Sequence, residues 1–183
     1  MIRFRYDTSK YDFSGLICYL LGVDDLSRLH EVAPPRPGLK RSDVRGLWVK
    51  KLYERRSEGL DALLHDFVKG AVTPVFGPIV SFQVRACLRI HMHDCGSISA
   101  FHRDGDWGQA DAVENVWIPF TRVWGNNALW VESAPGRGDY APVGLDYGEA
   151  IIFPGAVLGH GSAPNDTGAT RVSADFRVMP RSA

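Results

Sequence analysis

The sequence predicts a mainly β chain, an antiparallel sandwich or barrel with helices packed on its outside, and three observations carry that prediction. Helix-period apolar spacing is confined to about the first 72 residues. Beyond them, short β-branched and aromatic runs are separated by Gly, Pro, Asn and Asp. Two of those runs, "VSFQVRACLRIHMH" and "TRVSADFRV", alternate with a period of two, one face apolar and the other densely polar.

The chain of 183 residues fits one domain, 1–183, with a helical part over about 1–72 and a β core over about 73–180. Lys plus Arg and Asp plus Glu both number 21, so no basic field favours nucleic acid or an anionic membrane surface, and a small-molecule substrate is expected. Cys18, Cys87 and Cys95 are odd in number and lack C-x-x-C spacing, which fits a reducing compartment. The start "MIRFRYDTSK" has scattered charge and no apolar core, and no run of 18 apolar residues occurs anywhere, so a soluble, cytoplasmic protein is expected.

Taken in order, "GLICYLLGVDDLSRLHEV" holds one or two short helices, and "APPRPGLK" is a connection that cannot continue a helix. From Ser42 to Gly70 the apolar positions Leu47, Trp48, Leu52, Leu60, Leu63, Leu64 and Phe67 recur at helical spacing, giving one or two amphipathic helices opened by a Ser/Asp cap and closed at Gly70. Strands are expected at 80–93, 99–104, 113–120, 127–132, 149–153, 156–162 and 169–178. In the first of these Phe82, Val84, Ala86, Leu88, Ile90 and Met92 share one face, and Gln83, Arg85, Cys87, Arg89, His91 and His93 the other. In the last, Val172, Ala174, Phe176 and Val178 oppose Arg171, Ser173, Asp175 and Arg177. In a barrel with external helices the apolar faces meet the helices and the polar faces line a lumen.

The stretch "AFHRDGDWG" places His102 and Asp104 two residues apart, hence on one face of a strand, where they could bind one ion side by side. His160, 58 residues after His102, is the candidate third ligand. Two imidazoles and a carboxylate on one side of an ion, with the other positions open, is the donor set of non-haem Fe(II) oxygenases. Arg171 follows His160 by 11 residues, with Ser173 on the same face. A guanidinium fork beside a hydroxyl matches a carboxylate, so this pair could hold the distal carboxylate of 2-oxoglutarate.

The run H-x-D, then a distant His, then R-x-S, together with "QVRACLRIH", "ENVWIPFT", "NNALWVES", "GEAIIFPG" and "GHGSAPNDTGATRVSADFRVMP", resembles the Fe(II)/2-oxoglutarate-dependent dioxygenases. The likeness covers about residues 80–180 and is to the phytanoyl-CoA-dioxygenase-like, streptomycin-biosynthesis-type branch. It implies a double-stranded β-helix, the jelly-roll or cupin-like core, and catalytic iron held by His102, Asp104 and His160. It further implies 2-oxoglutarate as cosubstrate at Arg171 and Ser173, with O2 consumed and succinate and CO2 released. The outcome is hydroxylation or desaturation of a small polar metabolite, in secondary metabolism. Retention of Asp104 points away from the halogenating relatives, in which a small residue stands there.

Lumen-facing positions of relatives add Arg89 as a cosubstrate contact and Gln83 as a substrate contact. Asn115 with Trp117, and Trp130 with Glu132, share strand faces that could border substrate, and Trp107 could form a pocket lip. His91 and His93 form the H-x-H of a cupin site, but the Glu that should follow is missing from "DCGSIS". His30 and His65 fall in helical surroundings and read as surface or helix-end residues. Two other functions remain open on the sequence: a cupin-like metal-dependent isomerase, epimerase or lyase using the same ligands, and a non-catalytic jelly roll that binds a small ligand.

Overall fold

A computed structural model describes residues 1–32 and 46–181. It contains strands β1 (Ile2–Arg5), β2 (Ile79–Phe82), β3 (Cys87–His91), β4 (Glu114–Pro119), β5 (Leu129–Val131), β6 (Ala141–Val143), β7 (Glu149–Phe153), β8 (His160–Gly161) and β9 (Arg171–Pro180). Its α-helices are α1 (Phe13–Leu21), α2 (Leu29–Val32), α3 (Leu47–Arg55), α4 (Leu60–Phe67) and α5 (Thr73–Phe76). The large sheet runs β1-β7-β4-β9, and the far side of β9 pairs with β3 along its first half and β2 along its end. The small sheet is β6-β5-β8, and every pairing in both sheets is antiparallel. The two facing sheets form a jelly-roll, cupin-like core.

The period-two alternation separates two cores. On the outer face of the large sheet Leu88, Ile90, Val116, Ile118, Ile152, Val172, Ala174 and Phe176 pack with Phe13, Ile17, Leu52, Leu64 and Phe67 of the helices. On the inner face Trp117, Ile151 and Phe153 meet Val123, Leu129, Val131, Leu145 and Leu158. Because adjacent residues of a strand point to opposite faces, burying Val172, Ala174 and Phe176 under the helices turns Arg171, Ser173, Asp175 and Arg177 into the space between the sheets.

Several elements depart from the sequence expectation. β1 lies within the part expected to be helical, yet Phe4 is buried in the outer core, and Arg3 and Arg5 flank it, both paired with Glu149 of β7. The expected strand 80–93 is broken at 83–86, which separates β2 from β3 and leaves Val84 exposed. β6 was not expected. The helical region does not stop at Gly70: a π-helical turn (Val68–Val72) leads into α5, which ends at Gly77 with φ +101°. Pro74 is tolerated because it lies in the first turn of α5, where its missing N–H costs no intrahelical bond. Gly70 has a packing role instead, since a Cβ there would lie 2.1 Å from the Tyr11 hydroxyl. The expected Ser/Asp cap and the Pro-rich connection lie outside the described residues. None of the described helices is long and apolar enough to cross a membrane.

Candidate metal centre

His102 and His160 meet through the backbone. Each donates its N–H to the other's carbonyl, at 3.0 and 2.9 Å, a hydrogen-bonded antiparallel pair that puts both side chains on one face. The ring centroids are 4.6 Å apart, and Phe153 packs edge-on against His160. Gly161 permits this approach, for a Cβ there would lie 2.9 Å from Phe101 Cα.

Asp104 arrives differently from the i, i+2 strand geometry expected. His102 makes only an isolated bridge, and Asp104 opens a short 3₁₀ turn, Asp104–Trp107. That turn is pinned to the segment before β8: Asp104 N–H donates to Gly155 O at 2.9 Å and Gly105 N–H to Ala156 O at 3.1 Å. Gly105 is required, because a Cβ there would sit 2.4 Å from Ala156 O.

The hydrogen bonds around the three side chains fix which atoms converge. His102 Nδ1 lies 2.7 Å from Ala100 O and His160 Nδ1 lies 3.0 Å from Leu158 O. A carbonyl only accepts, so in both neutral rings Nδ1 carries the proton and Nε2 presents its lone pair. The two Nε2 atoms stand 3.2 and 3.7 Å from Asp104 Oδ1, and one ligand atom from each residue lies within 4.8 Å of the others. Asp104 Oδ2 is already occupied, accepting from Asn115 Nδ2 at 2.6 Å and Arg177 Nη2 at 3.1 Å. Burial opposes ionisation of Asp104, but the bond from Asn115, the charge of Arg177 and, when their rings are protonated, His102 and His160 outweigh it and hold the carboxyl well below its ordinary range. A proton on His102 Nε2 would bond to Asp104, which raises the pKa of His102, whereas burial lowers that of His160.

Two imidazole lone pairs and a carboxylate oxygen facing one point repel one another unless a cation lies between them. Their N₂O donor set, with the opposite side open to a cavity, fits a divalent transition metal, and the backbone carbonyls supply the outer-shell support that such ligands need.

The cavity has a volume of about 130 Å3 and is lined by Arg89, Trp117, Arg171, Asp175 and Arg177 as well as the three candidate ligands. Arg171 is 2% exposed; its Nη1 donates to Asn127 O at 2.8 Å and its guanidinium lies over Trp117 at 5.7 Å. Arg171 Nε and Ser173 Oγ are buried without a hydrogen-bond partner among the described residues. Burial and the nearby Arg89 push the Arg171 pKa down to about 9, which leaves it a buried cation at neutral pH. A buried guanidinium at the cavity wall is a receptor for an anion such as a carboxylate. Ser173, two residues along β9, is fully buried and is not among the residues that line the cavity.

The remaining sequence candidates divide. Asn115 and Trp117 line the cavity, Asn115 as the partner of Asp104. Arg89 lines it too, its Nε donating to Asp175 Oδ1 at 2.9 Å. Gln83, expected to touch substrate, lies outside the cavity and accepts from Arg177 Nη1 at 3.3 Å. Trp107 is 81% exposed and forms no lip, because the turn after Asp104 directs it outward. Trp130 also lies outside the cavity: Leu129 and Val131 hold the inward face of β5, and Trp130 stands opposite Gly161 on the other. Glu132 is a loop organiser, accepting the backbone N–H groups of Gly136, Gly138 and Gly159 at 3.0, 3.0 and 2.6 Å. His91 is buried with Nε2 at 3.1 Å from Gly96 O, and His93 accepts from Gly168 N–H at 3.1 Å; among the described residues neither belongs to a group of potential metal ligands. His30 is not a simple surface residue, since its Nδ1 lies 2.9 Å from Thr170 Oγ1.

Sequence reasoning passed over Arg177 and Gln109, although Arg177 shares the period-two face of Arg171 and Ser173. Arg177 Nε donates to Gln109 Oε1 at 3.0 Å, and Gln109 Nε2 donates to Asn115 Oδ1 at 2.9 Å, so one network supports Asp104 from both flanks.

No protein-family model matches the chain. The streptomycin biosynthesis protein StrG of Streptomyces griseus is 33% identical over 183 residues, an alignment that covers 98% of this chain and 85% of the relative. Among solved structures, the nickel complex of the non-haem monooxygenase ThoJ superposes with a TM-score of 0.53 at 16% identity, covering 96% of this chain and 71% of that one. HygX from Streptomyces hygroscopicus, with nickel and 2-oxoglutarate bound, superposes with a TM-score of 0.50 at 11% identity, covering 98% of this chain and 82% of that one.

Proposed function

The chain belongs to the family of the streptomycin biosynthesis protein StrG, and from that premise we propose that it is an Fe(II)- and 2-oxoglutarate-dependent oxygenase acting on a small polar metabolite. One observation carries the reading: two Nε2 atoms and Asp104 Oδ1 converge beside a cavity also lined by the buried Arg171, whose Nε has no hydrogen-bond partner among the described residues. The ThoJ and HygX folds, in proteins solved with nickel and, for HygX, with 2-oxoglutarate, agree with it.

In this reading His102, His160 and Asp104 hold the metal, each presented by a fixed partner. Ala100 O and Leu158 O orient the two rings, while Asn115 and Arg177 retain Asp104 Oδ2 so that Oδ1 alone faces the ion. Arg171 receives the distal carboxylate of 2-oxoglutarate, and Trp117 forms the wall beneath that guanidinium. An iron(II) ion with 2-oxoglutarate and dioxygen supplies the oxidising power, the cosubstrate leaving as succinate and CO2 while a substrate C–H bond is hydroxylated or desaturated. The apolar side chains Ile98, Leu129 and Phe153 exclude water from part of the cavity wall.

The buried Arg171, with no carboxylate partner among the described residues, favours this reading over an isomerase or a simple binding module, since neither of those requires a diacid. The test is succinate formation by the purified chain with a metabolite library. Release that needs Fe(II), O2 and 2-oxoglutarate and is lost in His102→Ala supports the proposal; anaerobic turnover without 2-oxoglutarate contradicts it.

A further inference from the structure

The cavity wall carries more positive charge than the proposed chemistry uses. Three guanidinium groups line it, those of Arg89, Arg171 and Arg177, against the two carboxylates of Asp104 and Asp175. A divalent ion and a doubly charged keto diacid cancel each other, so one positive charge is left over in a partly desolvated site, which is costly without a counter-ion.

The hydrogen bonds identify the unmatched group. Every nitrogen of Arg177 is engaged: Nε with Gln109, Nη2 with Asp104 Oδ2 at 3.1 Å, and Nη1 with Gln83 Oε1 at 3.3 Å and Asp175 Oδ2 at 3.5 Å. Arg171 turns toward the β4–β5 side of β9, donating to Asn127 O and lying over Trp117. Arg89 stands on the other flank of β9, on β3, directly opposite Ser173 in register. Its Nε is fixed by Asp175 at 2.9 Å, and its two Nη groups have no hydrogen-bond partner among the described residues. Its side chain is 34% exposed, so it is open to an entering molecule as the enclosed Arg171 is not.

We infer that Arg89 binds an anionic group of the primary substrate, a carboxylate or a phosphate, on the β3 side of β9. The inference rests on the oxygenase reading, which assigns Arg171 to the cosubstrate, and it reassigns Arg89 from cosubstrate to substrate. Asp175 acts as a positioning residue: by holding Nε it presents the Nη pair as a planar fork, the geometry that takes two oxygens of one anion. Glu132 is withdrawn into its loop, so it offers no cavity charge to recruit a cationic substrate. The substrate is therefore an acidic or phosphorylated metabolite.

The test uses the full chain loaded with Ni(II) and saturating 2-oxoglutarate, titrated calorimetrically with inorganic phosphate, and with glucose 6-phosphate and gluconate against glucose. The two charged sugars separate a phosphate from a carboxylate preference. Binding of phosphate or of a charged sugar, tighter than that of glucose, that weakens at least tenfold in Arg89→Gln, with 2-oxoglutarate affinity kept within twofold, is the expected result. Arg89→Lys, which keeps the charge and loses the fork, falls between the two and guards against a folding artefact. The inference is overturned if none of phosphate, glucose 6-phosphate and gluconate binds the wild type more tightly than glucose does, if Arg89→Gln binds the preferred anion equally well, or if Arg89→Gln loses 2-oxoglutarate as Arg171→Gln does. A wild type that binds no 2-oxoglutarate sinks the oxygenase reading instead, whatever the phosphate titration gives.

Discussion

Asn115 Nδ2 donates to Asp104 Oδ2 at 2.6 Å, and this bond decides which oxygen of the carboxylate is left to face the two imidazoles. Asn115→Ala is expected to leave the fold intact and weaken Ni(II) or Fe(II) affinity by about 10-fold to 100-fold, the range for loss of a group that orients a ligand. Arg177→Gln acts on the same oxygen and gives a loss of the same order. Calorimetric metal titration of each variant is the check, and unchanged affinity in both counts against the arrangement.

Gly155 offers an independent handle on Asn115. A Cβ at position 155 would lie 2.3 Å from Asn115 Nδ2, so Gly155→Ala displaces that amide without touching a candidate ligand. Its metal affinity is expected to fall about as far as that of Asn115→Ala. The double variant should show little additional loss, because the two changes remove one interaction.

Arg171→Met separates stability from function. The wild type buries a guanidinium with no carboxylate partner among the described residues, and replacing it with an apolar side chain of similar length is expected to raise unfolding stability by about 2 kcal/mol. The same variant should lose 2-oxoglutarate binding by more than about tenfold. Urea unfolding and cosubstrate titration measure the two effects, and a variant that is both less stable and still able to bind contradicts the account.

His91 sets an acid limit on stability. Burial, with Arg171 beside it, pushes its pKa down to about 3 from an ordinary 6.5. Between those values the unfolded chain binds the extra proton and the folded chain does not, so stability falls as pH drops from about 6.5 toward 3. Between pH 7 and pH 5 this single group accounts for a loss of about 2 kcal/mol. His91→Gln, which can still donate to Gly96 O, should lose correspondingly less over that interval in urea unfolding.

Glu132 accepts three backbone N–H groups, one of them from Gly159 beside His160. Glu132→Gln turns one acceptor edge into a donor facing donors, and the melting temperature is expected to drop by about 5 °C. Arg89-dependent anion binding should remain within twofold, since Glu132 lies outside the cavity.

Much of this arrangement is legible in the sequence because a sheet with helices on one face and a cavity on the other imposes a period of two. That period places Arg171, Ser173, Asp175 and Arg177 together on β9, and the residues between them in the core. The proximity of His102 to His160 is legible only as a motif, for their meeting depends on a backbone bridge between distant segments. Spacing misled at Asp104, where a 3₁₀ turn replaces the strand and carries Trp107 to the surface. β1 was hidden because a four-residue strand with two arginines lacks an apolar run, and its ion pairs to Glu149 become visible only once β7 is beside it. The bonds from Asn115 and Arg177 to Asp104 span 11 and 73 residues, distances over which pattern alone carries no information about contact.

The most direct measurement is an anaerobic titration of the full chain with Fe(II), followed by 2-oxoglutarate, in the wild type and in His160→Ala and Arg171→Gln. The account predicts one iron per chain, lost in His160→Ala, and cosubstrate binding that needs both the metal and Arg171. Iron binding that survives in His160→Ala, or 2-oxoglutarate affinity indifferent to Arg171, contradicts it.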